Sequence, residues 1–121
     1  MYERGAFAPP PAPADELDGY EAFTPSMVAP RLLNASEVER VLERLYPAVL
    51  RDAGIGGTVR VRLWVDETGG VVRAEIAGTS GYEAMDRAAL AVVDRMRLSP
   101  ALNQGRPVRV QVELPLTFRS R

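Results

Sequence analysis

Asp66 and Glu67 are adjacent carboxylates, and two carboxylates can divide acid and base roles only where a pocket pushes their pKa values apart. They sit in Asp66-Glu67-Thr68-Gly69-Gly70, a turn sequence whose tip faces water, so the pattern argues against catalysis there. The chain has neither histidine nor cysteine, which removes thiolate chemistry, disulfides, histidine acid–base catalysis and histidine or cysteine metal sites. Gly54-Ile55-Gly56-Gly57 has the glycine content of a phosphate loop but lies between a helix and a strand, the reverse of the order that phosphate binding uses. Arg60, Arg62 and Trp64 share one face of a strand, with Arg73 and Glu75 nearby. That interleaving suits either a nucleic-acid platform or a solvated sheet face shielding one Trp, and the second reading is preferred. Every basic residue is arginine, and the formal net charge is −1, so overall charge gives no argument for a polyanionic partner. No cofactor, metal, nucleic acid or small-molecule substrate is expected.

The element that positions these residues is a hairpin from Gly57 to Gly81. Val59, Val61, Leu63 and Val65 alternate with Arg60, Arg62 and Trp64, the period of two of a half-buried strand. A second arm, Val71 to Thr79, follows the Asp66–Gly70 turn and places Val72, Ala74 and Ile76 on one face. Two strands cannot cover their own apolar face, so the remainder of the chain must supply helices and a third strand. Val38, Val41, Leu42, Leu45, Val49 and Leu50 recur at helical spacing after Asn34 or Ser36, with a break expected near Leu45–Tyr46 because Pro47 lacks an amide hydrogen. Met85, Ala89, Val92, Val93 and Met96 form the stripe of a second helix, from about Tyr82 to Arg97, behind a Ser80-Gly81-Tyr82-Glu83 capping signature. Val108 to Phe118 alternates as a long last strand, in which Pro115 requires a free edge or a bulge. The fold class is therefore α+β, a three-stranded antiparallel sheet with two helices packed on one face. The expected core sets Val59, Val61, Leu63, Val65, Ile76, Val110 and Val112 against Val41, Leu42, Leu45, Leu90 and Val93.

Residues 1–29 differ in composition, with Ala8-Pro9-Pro10-Pro11-Ala12-Pro13-Ala14 favouring extended polyproline II before an acidic stretch. They read as a Pro-rich linker with little fixed structure, or alternatively as a ligand for an SH3-like groove. Residues 30–121 read as one domain. No apolar run approaches the roughly 20 residues that span a bilayer, and the N-terminus has no secretory h-region.

Tyr46-Pro47, Asp52-Ala53-Gly54-Ile55-Gly56-Gly57-Thr58-Val59, Val65-Asp66-Glu67-Thr68-Gly69-Gly70-Val71-Val72, Ser80-Gly81-Tyr82, Asp86 with Ala88-Ala89-Leu90, Arg97-Leu98-Ser99-Pro100-Ala101 and a strand from Pro107-Val108 to Leu116-Thr117-Phe118 follow one another in an order that resembles the TonB C-terminal domain. The likeness runs over about residues 34–119. It implies a periplasmic module, tethered to the inner membrane in a full-length protein and driven by an ExbB–ExbD complex, that grips the TonB box of an outer-membrane receptor as an added strand. The Pro-rich start resembles the family's periplasm-spanning linker, in shortened form. An anchor is missing from the chain as given, so coupling to the proton-motive force would need one upstream. The alternative is a stand-alone adaptor that pairs through its edge strand without transmitting force. The last strand follows a helix and can lie at the sheet border, so the expected receptor site is its edge, Val108, Arg109, Val110, Gln111, Val112, Glu113 and Leu114, with Leu45 and Tyr46 beside it. Pro115 shortens that edge. A homodimer through the same edge is a further expectation, and the competing expectation is that the chain's own residues 20–33 cap it.

Overall fold

A computed structural model describes residues 19–120. The chain runs β1 (Glu21–Ala22), α1 (Ala35–Leu45), α2 (Ala48–Asp52), β2 (Gly57–Val65), β3 (Val71–Gly78), α3 (Glu83–Val93), β4 (Ala101–Asn103), β5 (Arg106–Val108) and β6 (Val110–Phe118). Strands β3, β2 and β6 form the expected antiparallel sheet, and the order across it is β1-β6-β2-β3. The period-two pattern of β2 dictates its two faces. Val59, Val61, Leu63 and Val65 are fully buried, and α1 and α3 supply Val38, Val41, Met85, Ala89, Val92 and Val93 to the same core. Of the other residues expected in that core, Val110, Leu90 and Val93 are buried, while Ile76, Val112, Leu42 and Leu45 are only partly so.

The break at Pro47 is present: the first helix ends at Leu45 and the chain restarts behind Pro47 as a separate short helix, α2, with no buried residue. One feature lies outside the expected outline. The last strand is divided. Val108 belongs to β5, which pairs with β4 across the Gln104–Gly105 turn, and only Val110–Phe118 joins the main sheet. Gln104 and Gly105 both take positive φ, 54° and 82°, as a tight two-residue hairpin turn requires. The competing expectation, that residues 20–33 cap the edge of the last strand, holds over part of it: β1 adds a fourth strand, parallel to β6, with Glu21 opposite Val110 and Ala22 opposite Gln111.

Of the stretch expected as a linker, residues 1–18 lie outside the described residues, while 19–29 lie against the domain. Met27 is buried, and Val28 bridges to Leu102 through hydrogen bonds of 2.8 and 3.0 Å. The chain then runs along the end of α3. Leu33 N donates to Arg97 O at 2.7 Å and Arg31 N to Ser99 Oγ at 2.8 Å. Asn34 stands at the N-cap of α1 without capping it; its side chain instead donates to Arg95 O and accepts from Arg97 N, tying the start of α1 to the end of α3. Asp86 is the buried polar residue of α3. It accepts from Ser80 N at 2.9 Å, Ser80 Oγ at 2.7 Å and the Thr79 hydroxyl, which pins the loop between β3 and α3. No helix among the described residues is long and apolar enough to cross a membrane.

Candidate functional site

The side chains with the most chemistry are used up in holding the fold. Asp66 Oδ1 accepts from Thr68 N at 2.9 Å, Thr68 Oγ1 at 2.6 Å and Gly70 N at 2.9 Å, so this carboxylate staples the β2–β3 turn. Partial burial pushes its pKa up, but the hydrogen bonds from Thr68 and Gly70, together with the Arg109 charge, outweigh that and hold it below the ordinary carboxylate value. Glu67 pairs instead with Arg109 at 3.4 Å. Gly69, at φ 89°, packs so closely on the Leu98 carbonyl that no side chain could stand there. On the open face of the sheet Arg62 reaches Glu75 at 3.0 Å and Glu113 at 2.9 Å, bridging β3, β2 and β6. These hydrogen bonds, Glu113's first, push the Arg62 pKa further up. Arg60 joins Glu113 at 3.3 Å, and Arg73 joins Glu75 at 3.4 Å while its guanidinium lies 5.7 Å from the Trp64 ring. Those guanidinium groups are engaged by carboxylates, which favours the solvated-face reading over a nucleic-acid platform.

The backbone of β6 is a different matter. Its register with β2 is continuous, from Gly57 opposite Phe118 to Val65 opposite Val110. In a strand, the N–H and C=O of one residue point the same way and those of the next point oppositely. Arg109 O accepts from Glu21 N, and Gln111 O from Phe23 N, so the odd-numbered residues aim their backbone groups away from β2. The even ones, Val110, Val112, Leu114, Leu116 and Phe118, are bonded into the β2 ladder. Pro115 is odd. Its missing N–H falls on the outer edge, where the β2–β6 ladder loses nothing, so no bulge is needed.

This parity divides the expected site residues. Val108 lies in the β4–β5 ribbon, opposite Ala101, and takes no part in the edge. Arg109 and Gln111 point outward but are met there by β1. Val110, Val112 and Leu114 turn their backbones inward. Proline substitution at Val110 or Val112, which would suit a test of the outer edge if all donors pointed outward, would break the sheet itself. Glu113 does present its backbone outward, with its side chain engaged by Arg60 and Arg62. Tyr46 is buried, donates its hydroxyl hydrogen to Ile55 O and meets Phe118 edge-on with ring centroids 5.4 Å apart. Leu45 packs on the core.

The part of the edge beyond Gln111 borders an open groove of about 760 Å³. Ala35, Val38, Leu42 and Tyr46 form the wall on the α1 side, with Leu32 at one end, and Pro115–Ser120 form the strand wall. Glu39 and Glu43 stand on its rim. Pro115, Thr117 and the groove-facing stripe of α1 were not among the expected site residues. The signal for them was Pro115, which marks an outward-pointing position; reading it as the end of the usable edge concealed the half that stays open.

Over residues 43–120 the sequence matches the family described as "Gram-negative bacterial TonB protein C-terminal". The chain belongs to this TonB C-terminal family. It is 34% identical over 74 residues to "Protein TonB" of Vibrio cholerae serotype O1 (strain ATCC 39315 / El Tor Inaba N16961), an alignment covering 61% of this chain and 30% of that one. The aligned part thus spans about a third of the length of the curated relative. A solved structure described as "The structure of HasB CTD" aligns over 95% of this chain and 90% of that one, at 25% identity and a TM-score of 0.36. The match, over residues 43–120, includes the whole of β6 and the strand wall of the groove, but only Glu43 and Tyr46 of the opposite wall.

Proposed function

We propose that this TonB-family domain takes up an extended segment of an outer-membrane receptor, a TonB box, as an additional strand on the outer edge of β6. In its full-length setting the domain would be periplasmic, tethered to the inner membrane and driven by an ExbB/ExbD-like complex, so that pulling on the added strand passes proton-motive energy to the receptor. The observation that carries the reading is the row of outward backbone groups at Glu113, Pro115 and Thr117 beside an apolar groove. Strand addition draws its grip from such main-chain groups, and pockets for alternate side chains give it selectivity. A ladder bond aligned with the strand normal is sheared rather than peeled when the partner is drawn along its own axis, which suits a domain that pulls.

The test is a titration of the chain with a receptor TonB-box peptide, followed by backbone amide shifts. Shifts should gather on Glu113, Thr117 and the α1 residues of the groove. Thr117→Pro removes an outward donor and should weaken binding roughly tenfold, the worth of about one backbone hydrogen bond, while the folded state persists. Shifts on β3 instead, or unchanged binding by the folded Thr117→Pro variant, would overturn the reading. A second reading, an adaptor or homodimer that pairs through the same edge without transmitting force, is favoured by the ability of β6 to accept a strand from its own chain at Val110–Gln111. It predicts concentration-dependent association of the chain without any receptor peptide.

A further inference from the structure

β1 occupies part of the edge just described. Glu21 N reaches Arg109 O at 3.4 Å and Phe23 N reaches Gln111 O at 3.1 Å. Glu21 and Ala22 are exposed, and Phe23 is 37% exposed. The Arg109 guanidinium lies over the Tyr20 ring, 5.5 Å from its centre. The chain then leaves the edge through a turn in which Met27 N bonds Thr24 O at 3.0 Å. From there on it is held far more firmly: Met27 is buried, Val28 and Leu102 exchange both backbone bonds, and Arg31 and Leu33 bond to Ser99 and Arg97 at 2.7–2.9 Å. A weakly held strand is therefore leashed to a strongly held strap by a short turn.

We infer that Tyr20–Phe23 is a resident strand that shuts the Arg109–Gln111 part of the acceptor edge and must peel away, hinging at Thr24–Ser26, before a partner strand can pair along all of β6. This rests on the proposed receptor-binding role of that edge. With β1 in place, an incoming strand finds donors at Glu113 and Thr117 only, since Pro115 has none. With β1 displaced, the Gln111 N–H and the carbonyls of Arg109 and Gln111 join the row. Peeling costs little, because the few backbone hydrogen bonds of an exposed strand contribute modestly in water. Reclosure is efficient, because a short leash keeps the strand at a high local concentration. The resident strand also protects the flat part of the edge from pairing with other chains.

Two full-chain variants test this with a receptor TonB-box peptide as probe. Glu21→Pro with Phe23→Pro removes both donors of β1 and leaves the strap untouched. The peptide should bind this variant on the order of tenfold tighter than the unaltered chain. Ala22→Cys with Gln111→Cys places the chain's sole two thiols on residues that are direct partners across the β1–β6 pair, a separation a disulfide can span. Oxidised, this variant should bind at least tenfold more weakly than the same protein reduced, and the difference should vanish on reduction. On saturation of the unaltered chain, the Glu21 and Phe23 amides should lose protection from hydrogen exchange while the Gln111 amide keeps it. Equal binding by oxidised and reduced protein, with shifts confined to Glu113–Thr117, overturns the resident-strand inference and leaves the receptor site standing. Absence of binding in every form, the proline variant included, overturns the receptor site and this inference with it.

Discussion

Strands β3 and β6, which flank β2, are built to opposite specifications. Both pair with β2, which is buried on its core face along its whole length. The β2–β6 register runs unbroken from end to end, whereas the β2–β3 register shifts between Arg60 and Val61 and again between Trp64 and Val65. Register shifts bend and twist a strand, and a twisted edge is a poor template for another chain. β3 also carries Arg73 and Glu75, and the groove of about 760 Å³ takes no residue from it. β6 keeps an unbroken register with β2, borders that groove with Pro115–Phe118, and has one part of its edge covered by the chain's own segment. An edge that is to remain single is distorted and charged. An edge that is to accept a strand is kept regular, and is guarded by something removable.

The most severe way to break this comparison is to damage the strand both edges share. Leu63 is fully buried in the middle of β2, and Leu63→Ala should cost about 2–5 kcal/mol, seen as lower denaturant midpoints with the amides of β3 and β6 losing protection together. An unchanged midpoint would mean that the face assignment of β2 is wrong. The parity of β6 gives the next effect. Val112→Pro removes a donor from the β2 ladder and should cost about 1–3 kcal/mol, whereas Thr117→Pro should cost under about 1 kcal/mol and act on partner binding instead. Reversal of that order in thermal unfolding would refute the assignment of outward and inward groups.

Pro115→Val sharpens the contrast between edges. It restores one outward donor without disturbing the core, so receptor-peptide binding should strengthen by about threefold to tenfold, equivalent to about 0.5–1.5 kcal/mol. Self-association measured by sedimentation should rise as well, with new contacts on β6 and none on β3. The smallest effect concerns the turn that joins β2 to β3. The Asp66 pKa is lower folded than unfolded, so the unfolded chain binds the extra proton first as the pH falls. Its contribution to stability is therefore fully present above the unfolded value of about 3.9 and disappears as the pH drops through the folded value. Asp66→Asn should lose about 0.5 kcal/mol at pH 6, of the order of one exposed hydrogen bond, and should show a flatter decline in stability below about pH 4. Parallel acid profiles for the two proteins would remove Asp66 from the account of the turn.

The hairpin, the break at Pro47, the core face of β2 and the stripe of the helix that begins near Tyr82 were all legible in the residues, because each depends on near neighbours: a period of two, a period of 3.6, a proline without its amide hydrogen. That helix ends at Val93, however, not near Arg97. The need for a free edge at the last strand was legible too, through Pro115. What depended on distant partners was not. Val108 continues the alternation of Val110 and Val112, yet it pairs with Ala101 in a separate ribbon, because Gln104 and Gly105 both adopt positive φ and fold β5 back on β4. Val28, Leu32 and Leu33 have no periodicity of their own and acquire their places from Leu102, Leu98 and Arg97. Which backbone groups of β6 face outward was likewise hidden. The sequence alternates side chains in and out of the sheet plane, whereas the direction of each N–H within the plane is decided only when β2 takes one side of the strand and β1 part of the other.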